Sequence, residues 1–236
     1  MNRFAMIAIA VLALGTADGQ AKTKTDSQAV SLKINVKKGQ SFQYTFNMKA
    51  EVTEKGKVNT VNLSMNFAET VTGVQAGKQS WKINFSSGTV KGKDVPAAAS
   101  REFTNSLRKV EMEVVRDSFG RVLSSKANGA EAPNNGATEI EFPRQGVKIG
   151  SKWNGSSEFR GIALNWTHRA EAFEIVNGKK AVKIASTATG SNQVGTPKPC
   201  ITWIELSTGR PLLLQGQIWV REGGMKVNMT YNGVRR

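Results

Sequence analysis

The chain has 236 residues, with 33 Lys and Arg against 18 Asp and Glu, a formal net charge of +15 and 39% hydrophobic residues. One cysteine, Cys200, and one histidine, His168, exclude an intramolecular disulfide and any metal site built from several His or Cys ligands. Basic residues spread along the whole chain point to polyanionic partners such as an anionic membrane surface or an envelope polymer.

Residues 1–21 read as a secretory signal peptide. Arg3 supplies the positive start, Ala5 to Leu14 is an uncharged apolar run, and Ala17 and Ala21 each end a small-residue cleavage site. The apolar run is too short to cross a bilayer, which takes ~20 residues. Losing Arg3 alone leaves +14, and losing Asp18 as well leaves +15. Export to the bacterial periplasm or beyond is therefore expected, and nucleic acid is not an expected partner.

Strands follow in quick succession. Phe42, Tyr44, Phe46, Met48, Ala50 and Val52 alternate with polar residues, which makes one face apolar and the other wet. Leu63 to Phe67, Trp81 to Phe85, Ile162 to Trp166 and Met225 to Tyr231 repeat that alternation. One-sided alternation implies antiparallel strands. Ala76-Gly77 and Asn177-Gly178 sit between such runs as hairpin turns. A helix is predicted over 97–109, with Pro96 at its start and Phe103, Leu107 and Val110 at helical spacing. The small, polar stretch 124–138 reads as a connecting loop. Asn62, Asn84, Asn154, Asn165 and Asn228 each begin an Asn-x-Ser/Thr triplet.

Three glycine-centred patterns recur in the same order. Val36, Lys37, Gly39 and Phe42 match Val147, Lys148, Gly150 and Trp153; Gly77 matches Gly178; Gly120-Arg121 matches Gly209-Arg210. They predict a single β-rich domain, 22–236, built of two similar halves at about 30–130 and 140–236. The expected fold is mainly β: an antiparallel, two-copy curved sheet, half-barrel-like or closed as a barrel or sandwich, with one or two short helices.

Catalytic patterns are missing. His168 has no Gly-x-Ser-x-Gly nucleophile elbow to work with. Glu69 and Glu171 could form a carboxylate pair only if the fold brought them together. Asp117 belongs to a turn, where its side chain bonds the local backbone. The protein is expected to be no enzyme, to use no cofactor or metal, and to be a monomer. The apolar sheet face then decides its role. A concave face would hold a lipid or other apolar small molecule, with Phe42, Tyr44, Phe46, Met48, Trp153, Phe159 and Trp166 as the ligand-binding residues. A face folded on itself would leave a packed scaffold that meets envelope proteins or anionic cell-wall polymer through its surface.

The Lys-Lys-Gly-x-x-Phe-x-Tyr run at 37–44, the Pro-x-x-x-Val-Lys-x-Gly-x-x-Trp run at 143–153 and the Asp-x-x-Gly-Arg turn at 117–121 resemble a family of uncharacterised secreted bacterial proteins. More distantly, a signal peptide followed by a long antiparallel sheet resembles the periplasmic lipoprotein carriers of the localisation-factor type. That second resemblance implies a half-barrel that holds acyl chains; the two-copy layout and the scarcity of helix depart from it.

Overall fold

The computed structural model describes residues 29–132, 140–159, 162–189, 194–222 and 225–236. The expected signal peptide lies outside them. Among the described residues thirteen strands form one sheet. The strands before residue 132 are β1 (Ser41–Glu54), β2 (Lys57–Gln75), β3 (Lys78–Gly92), β4 (Glu111–Asp117), β5 (Val122–Ala127) and β6 (Ala130–Glu131). Those after it are β7 (Lys152–Phe159), β8 (Ile162–Val176), β9 (Lys179–Thr189), β10 (Val194–Gly195), β11 (Cys200–Glu205), β12 (Pro211–Glu222) and β13 (Met225–Arg235). Helix α1 (Ala97–Arg108) follows β3.

The strand order is β6-β5-β4-β3-β2-β1-β13-β12-β11-β9-β8-β7, with β10 added beside β12 and every pairing antiparallel. Among the described residues no ladder joins β6 to β7, so the sheet stays open and curved rather than closing into a barrel. The two runs of strands follow each other head to tail across it, and β1 and β13 make the seam.

Turn chemistry places the strands. Gly39 and Gly150 take φ of 85° and 86°, a left-handed conformation that a side chain disfavours. Each donates its N–H across the sheet, Gly39 to the Val71 carbonyl and Gly150 to the Ala170 carbonyl, both at 2.8 Å. Ala76-Gly77 (49°, 74°) and Asn177-Gly178 (50°, 75°) are tight turns with positive φ at both positions. The stretch 124–138 is less loop-like than its composition suggests. Asn128-Gly129 (50°, 81°) turns β5 into β6, so residues up to 131 are a short hairpin; residues 133–139 lie outside the described ones.

The inward side chains form one continuous core that runs through both sets of strands. Residues 30–36 cross the end of the sheet where the Gly39, Gly120, Gly150 and Gly209 turns gather. Leu32, Ile34 and Val36 point in. The backbone N–H of Ile34 bonds the Ser118 carbonyl at 2.7 Å, and that of Asn35 bonds the Thr208 carbonyl at 3.0 Å. Val30 and Val147 exchange both of their backbone bonds, which ties the chain start to the segment before β7.

Candidate functional site

The inward row of β1 is the centre of the interior. Phe42, Tyr44, Phe46 and Met48 are all buried, and Phe46 has 0% of its surface exposed. Their neighbours are rings from the next strands: Tyr44 stacks on Phe67 at 5.2 Å, Phe46 on Tyr231 at 6.1 Å, and Phe42 meets Trp81 at 5.9 Å. Burial pushes the Tyr44 hydroxyl up to about 12, with Arg210 opposing and Glu69 reinforcing that shift.

Trp153 and Trp166 form a second aromatic group around His168. Trp166 is buried and stacks on the imidazole at 6.4 Å; Trp153 is half-buried, lies 5.3 Å from the same ring and donates its indole N–H to the Glu141 carbonyl at 2.8 Å. The side chain of Phe159 is outside the described ones. His168 Nδ1 shares a 2.8 Å hydrogen bond with Ser186 Oγ, and its Nε2 faces Gly155, where an added Cβ would sit 2.8 Å away. Burial lowers the imidazole from 6.5 to about 4, so the ring is neutral at ordinary pH. Among the described residues no group of three His, Cys, Asp or Glu is placed to hold a metal ion. Cys200 is buried, burial raises its thiol, and the Tyr231 hydroxyl donates to its sulfur at 3.0 Å.

At the end crossed by residues 30–36, polar groups replace apolar ones. Glu69 is paired with Arg210, and Arg116 lies 3.7 Å from its other oxygen. The guanidiniums of Arg210 and Arg116 sit 4.8 and 5.5 Å from the Trp81 ring. Beside them Arg235 reaches Glu205 and lies 5.1 Å from the Phe42 ring. Burial would raise the Glu205 carboxyl, but the Thr208 hydroxyl at 2.7 Å and the Arg235 guanidinium overcome it and hold the group below its usual value. A cavity of about 30 Å³, room for about one small group, opens beside Arg116 and Arg210 against Ile34, Ile140 and Phe142. Sequence reasoning did not single out the three arginines. For two of them the signal was a charge on the apolar beat of a strand: Met112, Val114, Arg116 on β4 and Met229, Tyr231, Gly233, Arg235 on β13.

Glu69 and Glu171 do not form a pair. Glu69 is buried inward on Arg210, whereas Glu171 is part-exposed and 3.3 Å from Lys183. Asp117 does what a turn aspartate does: its Oδ1 accepts the Phe119 and Arg121 N–H groups at 2.9 and 3.0 Å.

Helix α1 covers the far end of the interior through a narrow contact. Phe103 and Leu107 are its buried side chains, and they rest on Gly88 of β3, where an added Cβ would lie 2.9 Å from the Phe103 ring. Thr104 donates to the Gly88 carbonyl, and Arg108 Nε bonds the Ser86 carbonyl at 3.0 Å. Substantial packing of α1 is against β3 alone.

No family model and no curated protein sequence matches the chain. Solved structures do. A lipovitellin structure described for its lipid–protein interactions aligns with 85% of this chain at 10% identity and a TM-score of 0.50. The chain spans about a quarter of lipovitellin's length (25%). The hypothetical lipoprotein YmcC of Escherichia coli aligns over 79% of this chain and 85% of its own at 12% identity and a TM-score of 0.29. A LolA-superfamily protein of Nitrosomonas europaea aligns over 84% and 87% at 10% identity and a TM-score of 0.21. A LolA-superfamily protein is thus among the solved structures with which the chain aligns.

Proposed function

We propose that this is a non-enzymatic binding protein of the cell envelope that holds an acyl chain or similar apolar ligand between its curved sheet and α1. On this reading it is exported, and its single domain is built of two similar halves. One observation carries the proposal. An open antiparallel sheet presents an apolar interior, and a 12-residue helix seated on one strand through two buried side chains covers one end of it. Such a cover opens at far lower cost than the strands themselves. The lipovitellin structure with the same fold was described for its lipid–protein interactions, which supports the class of ligand.

A second reading, the packed scaffold, is favoured by a different observation. Phe46 and Met65 have 0% exposure, so the interior around them is filled. Native mass spectrometry of protein purified from its host, together with titration of a fluorescent fatty acid, separates the two. Carriage predicts co-purifying lipid and saturable uptake, faster in Leu107→Ala. Absence of both, with the variant folded, leaves the scaffold.

A further inference from the structure

The outward face of the central strands is built unlike an ordinary solvated face. Register places Thr89, Ser64, Asn47, Asn232 and Gln215 side by side across β3, β2, β1, β13 and β12. The next row along the strands is Lys91, Asn62, Lys49, Thr230 and Gln217. The following row ends on Asn228 and the half-buried Trp219, whose indole lies over Gly195 and 5.2 Å from the Arg221 guanidinium. Amides and hydroxyls dominate where Lys and Glu would suffice for solubility. Several are fixed by lateral bonds: Asn47 Nδ2 donates to Asn232 Oδ1 at 3.2 Å, Thr45 Oγ1 to Asn66 Oδ1 at 2.8 Å, and Asn66 Nδ2 to Ser87 Oγ at 2.8 Å.

We propose that this face binds an extended acidic polysaccharide laid across the strands. Neighbouring strands repeat every ~4.8 Å, which offers about one polar side chain to each sugar ring of an extended chain. A side-chain amide carries both donors and acceptors, as sugar hydroxyls require. The half-buried Trp219 adds an aromatic side chain at the side of the array. The charge on and beside the rows selects an acidic polymer. Lys49, Lys91, Arg221 and Lys226 are exposed there, and the acid within the rows, Glu51, is 2.7 Å from Lys49. This inference concerns the face opposite the apolar interior and stands whether or not that interior carries a ligand.

The test is calorimetric titration of the protein with polygalacturonate, neutral dextran and polyglutamate at low and physiological salt. The expected result is binding to polygalacturonate, weaker binding to dextran and weaker binding to polyglutamate. Lys49→Gln/Lys91→Gln and Asn47→Val/Asn232→Val should each weaken polygalacturonate binding about tenfold, with Trp219→Ala as a third variant if the Asn pair lowers the melting temperature. Three results would overturn the proposal: no polygalacturonate binding, equal binding of polyglutamate, or unchanged affinity in folded Asn and Trp variants.

Discussion

His168 illustrates how burial converts one side chain into a pH response. Its imidazole titrates at about 4 in the fold against 6.5 when free. Between those values the unfolded chain binds the proton and the folded one does not, so stability falls as the pH drops from 6.5 toward 4. At 1.36 kcal/mol per unit the shift corresponds to about 3 kcal/mol. Glu205 acts in the same direction at lower pH, because protonation ends its bond with Arg235. Melts at pH 7 and pH 4.5 should therefore diverge strongly in the wild type and much less in His168→Asn. A similar gap in both proteins would place the sensitivity elsewhere. Phe46 is the matching apolar case. With 0% exposure it should cost ~3–5 kcal/mol when cut to alanine, measured by urea denaturation, whereas a cost under ~1 kcal/mol would mean the side chain faces replaceable space. Glu69→Gln removes the buried negative charge that Arg210 and Arg116 share, and a loss of ~3–5 kcal/mol is expected by the same measurement.

At the scale of elements, α1 is the piece whose attachment can be weakened by one atom group. Gly88 leaves the space that Phe103 and Leu107 fill, and an added side chain there collides with both. Gly88→Val should lift the helix while leaving the β-ladders intact. Hydrogen exchange should then rise in residues 97–108 and stay slow in β1 and β2. Uniform acceleration would show that the helix and the sheet unfold together. Most of these elements were legible because period-two alternation and X-Gly turns are local signals. Phe42 to Ala50 and the Asn177-Gly178 turn needed no tertiary information. The β5–β6 hairpin was obscured because its side chains are small and mostly exposed, although Asn128-Gly129 marked it. The Arg116, Arg210 and Glu69 cluster was not legible, since it joins β2 and β4 to the turn before β12 across a sequence separation of 141 from Glu69 to Arg210. Alternation says which way a side chain points, not what arrives opposite it. The five Asn-x-Ser/Thr triplets are the reverse case. They lie on strands, outward, because every second residue of a one-sided strand is polar.

At the scale of the whole molecule, the sheet separates two kinds of surface, and the charge belongs to only one of them. The interior is mostly apolar, with the buried Glu69, Glu205 and arginine groups at one end and polar side chains such as His168 and Ser186 elsewhere. Among the described residues the other cations are exposed or part-exposed, so most of the net charge of +15 acts on solution partners. Each basic residue near an anionic bilayer contributes ~1 kcal/mol, and that attraction fades beyond a Debye length of ~8 Å at physiological salt. A globular sheet brings only part of its charge within that distance at once, so the attraction is moderate and easily screened. Liposome flotation should show recovery with phosphatidylglycerol vesicles, little with phosphatidylcholine, and release of the bound fraction as sodium chloride is raised. Soluble polygalacturonate should compete with the vesicles if the array around Lys49 and Lys91 faces the membrane, and should leave recovery unchanged if another face does. Salt-resistant recovery on neutral vesicles would instead mean that apolar side chains insert. The first segment to examine then would be α1, whose Phe103 and Leu107 are the side chains its displacement would release.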